Sequence, residues 1–403
     1  MEFITYEESI QKLKESFTTT KPKKKVFLSD ALGKILATDI VADCNSPEFP
    51  TSAMDGYAIK FDDQVLGRLR IVGDLPAGKF SAEEVVGGHC IKTFTGSLMS
   101  EGTDTLIPIE NVEVDGDEII IKEEVEQGFS VRPVGENFKK DEILIKKGSK
   151  IGFAEIGVLA SLNIPQIEVY KKPRVAIIST GSEILDVGEK QTNPSQIRSS
   201  NQFTLEAIAN SAGANTTRAP LAKDEKESIQ ECILTMLEDN DIVVTTGGVS
   251  VGDYDFVKDI IADFEPRYIT KGVILKPGQH IKIVKIGKKY IFALPGFPYS
   301  SAVTFILYVL PLIYHLEGKD TKLPTVQAKL MKNYKKKSHK TEFVAANLSY
   351  VDGEYQVNFD GKKSGSSAIL TNMLGDIGLI HVPQEAADLH FGDLVEVINL
   401  KAI

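Results

Sequence analysis

TTGGVSVGDYDF, residues 245–256, follows directly on the apolar run DIVV. An apolar run that ends in glycines and hydroxyls has the form of a buried parallel strand passing through a tight turn into a helix. The same turn can cradle an anion. Glycine lets a ligand approach the backbone, and the free N–H groups at the start of the next helix favour negative charge. A second run ends alike: KPRVAIIST passes into Gly181, Ser182 and Glu183. In an open parallel sheet both turns lie at the carboxyl edge, where ligands bind.

Working outward, residues 173–318 alternate buried strands with helical patterns. SSNQFTLEAIANSAG offers Phe203, Leu205, Ile208 and Ala212 to a core, with Gly213 as a stop. KDEKESIQECILTMLEDN and YDFVKDIIADF are further helices, and IKIVKI and KYIFALPG further strands. PYSSAVTFILYVL reads as a buried helix with Pro298 near its first turn. The apolar stretch around it is broken by Pro311 and too short to span a membrane. Alternation of this kind predicts a doubly wound parallel sheet.

The flanks differ in texture. Thr5 and Glu8 form a capping box ahead of a stripe of Ile10, Leu13 and Phe17, which predicts a short amphipathic helix. The lysine-rich segment 21–25 reads as a solvated loop. Residues 45–137 are short β-like runs between turn residues, with a hairpin signal in DGD at 115–117. From about 320 onward FVAANLSY, EYQVNFD, GLIHVPQ and DLVEVINL read as strands of a small barrel or sandwich, and the KNYKKK cluster before them as a solvated edge.

At 403 residues the chain is too long for one core. A net charge of −10 argues against bulk nucleic-acid binding but leaves room for a local basic pocket. Three scattered cysteines without a CxxC pair fit a reducing compartment and no cysteine zinc site. The N-terminus shows no basic segment followed by an apolar one. The expectation is a cytoplasmic protein with no membrane association.

Several residues stand out for chemistry, each with a plainer alternative. Glu183 follows the first glycine turn; Asp253 and Asp255 follow the second. Carboxylates beside a bound phosphate call for a cation, and Mg²⁺ suits such a donor set. Acidic residues in a first helical turn are equally favoured by the helix dipole. Asp224, with Glu227 three residues on, has the shape of a capping box. Arg198, in QIRSSN before a helix, suits an oxyanion, while Ser199, Ser200 or Asn201 suit the helix cap. Lys276 lies in ILKPGQH after a β run. Asp55 and Gly56 in TSAMDGYAI read as a turn, and TFTGSLMSEGTDT as a loop.

Together, SAMDGYA, PAG at 76–78, TGS with GTDT, RPVGEN, STGSE, IRSSN, TTGGVSVGDYD and LPGFP occur in the order seen in the molybdopterin molybdenumtransferase family, which includes bacterial MoeA and the E domain of gephyrin. The resemblance spans essentially the whole chain. It implies a multidomain α/β plus β architecture in an elongated homodimer. Its parts would be a discontinuous N-terminal domain (1–44 and 138–172), a β-rich module (45–137), an α/β domain similar to the molybdopterin adenylyltransferase fold (173–318) and a C-terminal β-barrel (319–403). It implies insertion of molybdate into adenylated molybdopterin with Mg²⁺-dependent release of AMP, in a cleft between the α/β domain of one subunit and the β module of the other. A transient contact with a molybdopterin adenylyltransferase goes with it.

Carried over by motif, Asp55, Thr95, Glu183, Asp224 and Asp255 match functional positions, with Glu183, Asp224 and Asp255 as metal ligands. Asp224 thereby moves from cap to active site. Arg198, Ser199, Gly247, Gly248, Ser250, Lys276, Pro295 and Pro298 match substrate-binding positions; Asp253 receives no role. Four positions depart from the pattern. Asn137 replaces an acid, Phe297 an asparagine and His280 a proline, and a second family lysine falls on Gly272, with Lys271 one position off. The rival readings are an adenylyltransferase acting on ATP, a scaffold, and an inactive paralogue suggested by Asn137.

Overall fold

The computed structural model describes residues 3–17, 21–80, 84–221, 225–248, 256–363 and 367–403. By contacts the chain divides into two units, Met1–Val26 with Glu168–Ile403, and Phe27–Ile167.

The larger unit is built on a six-stranded sheet. Its strands are β1 (Arg174–Ser179), β2 (Asn215–Arg218), β3 (Ile242–Thr246), β4 (Arg267–Thr270), β5 (Lys282–Ile286) and β6 (Lys289–Leu294), in the order β2-β1-β3-β6-β5-β4. The first four in that order run parallel, and β5 and β4 add antiparallel at one edge. The reversal follows from a two-residue hairpin at Gly287 and Lys288, with Gly287 at a φ of +57°. Side chains alternate across the sheet as strand pleating requires. Val175, Ile177, Ile242, Val244, Tyr290 and Phe292 face Leu205 and Ala209 of the helix Asn201–Ser211. Ala176, Ile178, Val243, Ile291 and Ala293 face Ile229 and Ile233 of Lys226–Asp239 and Ile260 and Ile261 of Phe256–Asp263. Both faces are covered, which is the doubly wound arrangement. Phe203 is an exception to the expected core set: its ring packs instead against the Arg218 guanidinium, 4.2 Å from the ring centre.

The apolar stretch does not stop at Pro311. One helix runs Pro298–Glu317, passing through a π-helical segment at Phe305–Val309. Proline has no N–H to donate and crowds the carbonyl four residues back, and a π-turn relieves both. Nearly all of this helix is buried in the core that the sheet shares with the C-terminal barrel. The N-terminal helix Tyr6–Glu15 packs on the same core. Thr5 Oγ1 accepts from the Glu8 N–H (3.1 Å) as the capping box requires, Leu13 is fully buried, and Ser9 Oγ meets Tyr308 Oη at 2.7 Å. The lysine segment expected as a loop is a strand, Lys23–Phe27, with its lysines exposed. Its extension is held where the chain returns, by the Lys171 N–H to the Pro22 carbonyl (2.9 Å) and by Lys23 with Glu168 (3.7 Å).

The C-terminal strands close a barrel. Thr341–Val351 pairs with both Glu354–Asn358 and Ile377–Val382; Leu394–Asn399 follows Ile377–Val382, and Thr325–Leu330 closes the ring by pairing with Leu394–Asn399 and, in parallel, with Glu354–Asn358. Thr325–Leu330 is the strand missing from the sequence reading. A short strand, Leu275–Lys276, adds onto the barrel in parallel with Thr341 and Glu342.

The smaller unit holds a six-stranded mixed sheet formed from residues 56–121, including the hairpin Val112–Asp115 and Glu118–Ile121. Residues 40–41 pair with 143–145, and Ile35 with Lys150. Asp55 closes a bend at residues 53–55, and Gly56 lies beyond it, opening the buried strand Gly56–Ile59. A Cβ at Gly56 would lie 2.3 Å from the Ile107 carbonyl oxygen, so the neighbouring strand's approach requires glycine.

Candidate active site

The carboxyl ends of β1, β3 and β6 open into a cleft of about 560 Å³. That volume falls within the range of small-molecule sites. The ends are stitched together. Ser179 Oγ meets Thr246 Oγ1 at 3.0 Å, the Thr180 N–H reaches the Thr246 carbonyl (3.3 Å), and the Gly247 N–H reaches the Leu294 carbonyl (3.2 Å). Gly247 and Gly248 have φ of +94° and +65°, and a Cβ at Gly248 would come 2.7 Å from Val257 Cγ2. Only glycine carries the chain from this strand so close to the next helix.

Around this floor the structure gathers Glu183, Arg198, Ser199, Gly247, Gly248, Lys276, Pro295 and Pro298 on one wall system. The strip Ile197–Arg198 pairs in parallel with Ile184–Leu185, which sets Arg198 near Glu183. One Arg198 Nη donates to the Asp186 carbonyl (3.0 Å), and the side chain is otherwise exposed. Ser200 is the residue before the helix Asn201–Ser211, yet its side chain makes no capping bond. Ser200 lines the cleft wall. Asn201 Nδ2 donates to the Gly296 carbonyl (2.8 Å), fastening the LPGFP loop to that helix.

Lys276 Nζ lies 3.2 Å from Glu342 Oε1, a carboxylate 1% exposed against 39% for the lysine. Tyr334 Oη and Ser338 Oγ also donate to Glu342, at 2.5 and 2.7 Å. Burial pushes the Glu342 carboxyl up, but these hydrogen bonds outweigh it and hold the group below the ordinary glutamate range.

Asp224, Ser250 and Asp255, together with Asp253, lie outside the described residues. Asp55 and Thr95 belong to the smaller unit, where Asp55 Oδ1 accepts from the Thr95 N–H (2.8 Å) and Oγ1 (2.9 Å). Those two bonds hold the Asp55 carboxyl below its ordinary value.

The departures from the family pattern acquire physical content. Gly272 is buried beside the Phe3 ring, 2.4 Å from where a Cβ would stand, so a lysine there would displace Phe3. Lys271 does not take over: its ammonium sits 4.2 Å over the Tyr268 ring and is not on the cleft wall. Lys340, which the sequence did not single out, does line the cleft and bonds Gln279. Nothing local marks it; it arrives with the barrel strand. His280 lies edge-on to Phe3, and Phe297 stands 59% exposed at the cleft. Asn137 is exposed in the smaller unit and hydrogen-bonds Ser46.

Among the described residues the cleft thus carries Arg198, Lys276 and Lys340 against one carboxylate, Glu183, in a chain of net charge −10. Such a wall attracts oxyanions and can hold them by bidentate and point-charge contacts.

Three family models match along the chain: the MoeA N-terminal region (domain I and II) at 4–163, a probable molybdopterin binding domain at 176–315, and the MoeA C-terminal region (domain IV) at 327–400. A molybdopterin molybdenumtransferase from Nostoc sp. is 31% identical over 386 residues, covering 93% of this chain and 88% of the relative. The chain belongs to the molybdopterin molybdenumtransferase family. A Staphylococcus epidermidis member is 29% identical over 98% of this chain and 95% of its own. The molybdopterin biosynthesis MoeA protein of Pyrococcus horikosii superposes with a TM-score of 0.85, at 28% identity, over 99% of both chains. The family's multidomain architecture, with the α/β domain and the five-stranded closed barrel, is therefore present in full.

Proposed function

We propose that this chain inserts molybdenum in molybdenum cofactor biosynthesis, transferring molybdate to adenylated molybdopterin with release of AMP. Relatives named molybdopterin molybdenumtransferase support the reading. The observation that carries it here is the cleft itself: three cationic side chains and two strand ends that pass into glycine turns line one cleft, a setting that suits an oxyanion beside a phosphate.

In this reading Arg198 forks onto phosphate, while Lys276 and Lys340 face the molybdate dianion. The pterin dithiolate is the nucleophile towards molybdenum, so no protein nucleophile is called for. Phe297 offers a flat apolar surface to a planar ring. Asp55 and Thr95 serve the reaction from the β module, and Asp224, Ser250 and Asp255 complete the set. Mg²⁺ is part of the proposal. Glu183 is the carboxylate on the described cleft wall, and one carboxylate with water and substrate phosphate is a donor set that suits the ion. When bound it would neutralise the phosphoanhydride and the departing AMP. A cytoplasmic homodimer with transient contact to a molybdopterin adenylyltransferase completes the reading.

The test is AMP release and cofactor formation by the purified chain supplied with molybdate, adenylated molybdopterin and Mg²⁺. Lys276→Ala is expected to lower turnover about a hundredfold, the scale for removing one transition-state donor. No AMP release above background by the unaltered chain would overturn the assignment.

A further inference from the structure

We propose that Glu342 is a positioning residue: it fixes the Lys276 ammonium at the cleft wall and so makes the C-terminal barrel part of the oxyanion site. The proposal rests on the reading above that the cleft takes molybdate.

Lysine is a flexible point charge on four methylenes, poorly suited by itself to define one position. Here it sits on a strand of two residues, Leu275–Lys276, whose described partner is the barrel strand Thr341–Val351. The register sets Lys276 opposite Glu342, the arrangement in which cross-strand charges interact. Glu342 is immobile. Its Oε1 takes both Lys276 and Ser338, its Oε2 takes Tyr334, and the side chain is buried. Tyr334 is held in turn by main-chain bonds to Leu389 in both directions (2.9 Å each) and by the Phe359 ring, 5.5 Å between centres.

Behind Lys276 lies a second cavity of about 310 Å³, which shares Lys276, Pro277 and Ser367 with the cleft. Its walls carry Lys335, Lys337, Lys362 and Lys363, and among the described residues Glu342 is the one carboxylate there. Without Glu342 the cavity beside Lys276 would be lined by four further lysines and, among the described residues, by no carboxylate. Glu342 therefore sets where the charge stands and leaves its outer side open to a ligand in the cleft.

The experiment is calorimetric titration of the full chain with sodium molybdate. Wild type is expected to bind and Lys276→Met to bind much more weakly; no binding by wild type, or no loss in Lys276→Met, overturns the reading of the cleft and this inference with it. Given that baseline, Glu342→Gln should weaken binding about tenfold, the scale of the rotamer entropy a lysine loses on being fixed. Glu342→Asp should recover part of the loss. In the Lys276→Met background Glu342→Gln should make no further difference, because Glu342 acts through the lysine. An unchanged affinity in Glu342→Gln, or a loss that persists without Lys276, overturns the inference alone. Should Glu342→Gln fail the circular-dichroism check for folding, Tyr334→Phe decides the matter. It keeps the carboxylate but removes one of its anchors, so a smaller loss, again absent without Lys276, is expected, and no loss overturns the inference.

Discussion

Gly248 joins the end of β3 to the turn at the cleft floor, and replacing it with alanine probes whether that turn is as tight as it looks. Two costs are expected. The residue has a φ of +65°, a left-handed conformation that costs an L residue about 1–2 kcal/mol. The new Cβ would also stand 2.7 Å from Val257 Cγ2 and 3.3 Å from Val257 Cβ. Val257 cannot retreat freely, because it is fully buried with Ile260, Ile261 and Val243. Overpacking of this kind costs about 1–3 kcal/mol. The sum, about 3 kcal/mol, corresponds to a fall in melting temperature of roughly 6–12 °C for a unit of this size. Gly287→Ala is the internal control. Its φ is +57°, but nothing lies within 4 Å of the added carbon, so only the conformational part, about 1–2 kcal/mol, applies. Differential scanning calorimetry and urea unfolding of both variants give the comparison. Equal losses would refute the argument that the turn is pressed against the helix, as would a Gly248→Ala protein that melts with the wild type.

Two further outcomes follow from the same structure. Tyr308→Phe should cost about 1 kcal/mol, the net value of one hydrogen bond, by cutting the 2.7 Å link from the core helix to Ser9 on the N-terminal helix; urea midpoints that coincide with wild type would count against that link. Thr95→Val removes one of the two donors that depress the Asp55 carboxyl. A depressed carboxyl stabilises the fold above its unfolded value and loses that contribution as pH falls through the folded one. The Asp55 midpoint, followed by carboxyl ¹³C NMR, should therefore rise towards the ordinary value of 3.8, and the loss should set in at higher pH. An unmoved midpoint would show that the hydroxyl bond is unimportant.

The parallel core was legible from residue patterning, because strands buried on both faces must be apolar throughout and the helices between them carry a 3.6-residue stripe. The sequence by itself also determined the family, through motifs in fixed order, and the N-terminal cap, whose Thr5 and Glu8 pair is a local bond. Glu183, Arg198 and Lys276 were legible as residues but not as neighbours. Other features were decided by tertiary structure alone. The helix passes Pro311 because burial outweighs one lost hydrogen bond and a π-turn absorbs the mismatch. Gly56 is required by a carbonyl 51 positions away in sequence, at Ile107. Lys340 reaches the cleft, and Glu342 reaches Lys276, because the barrel strand pairs with Leu275–Lys276. Periodicity records which face of a strand is apolar, whereas which strand it meets depends on non-local pairing.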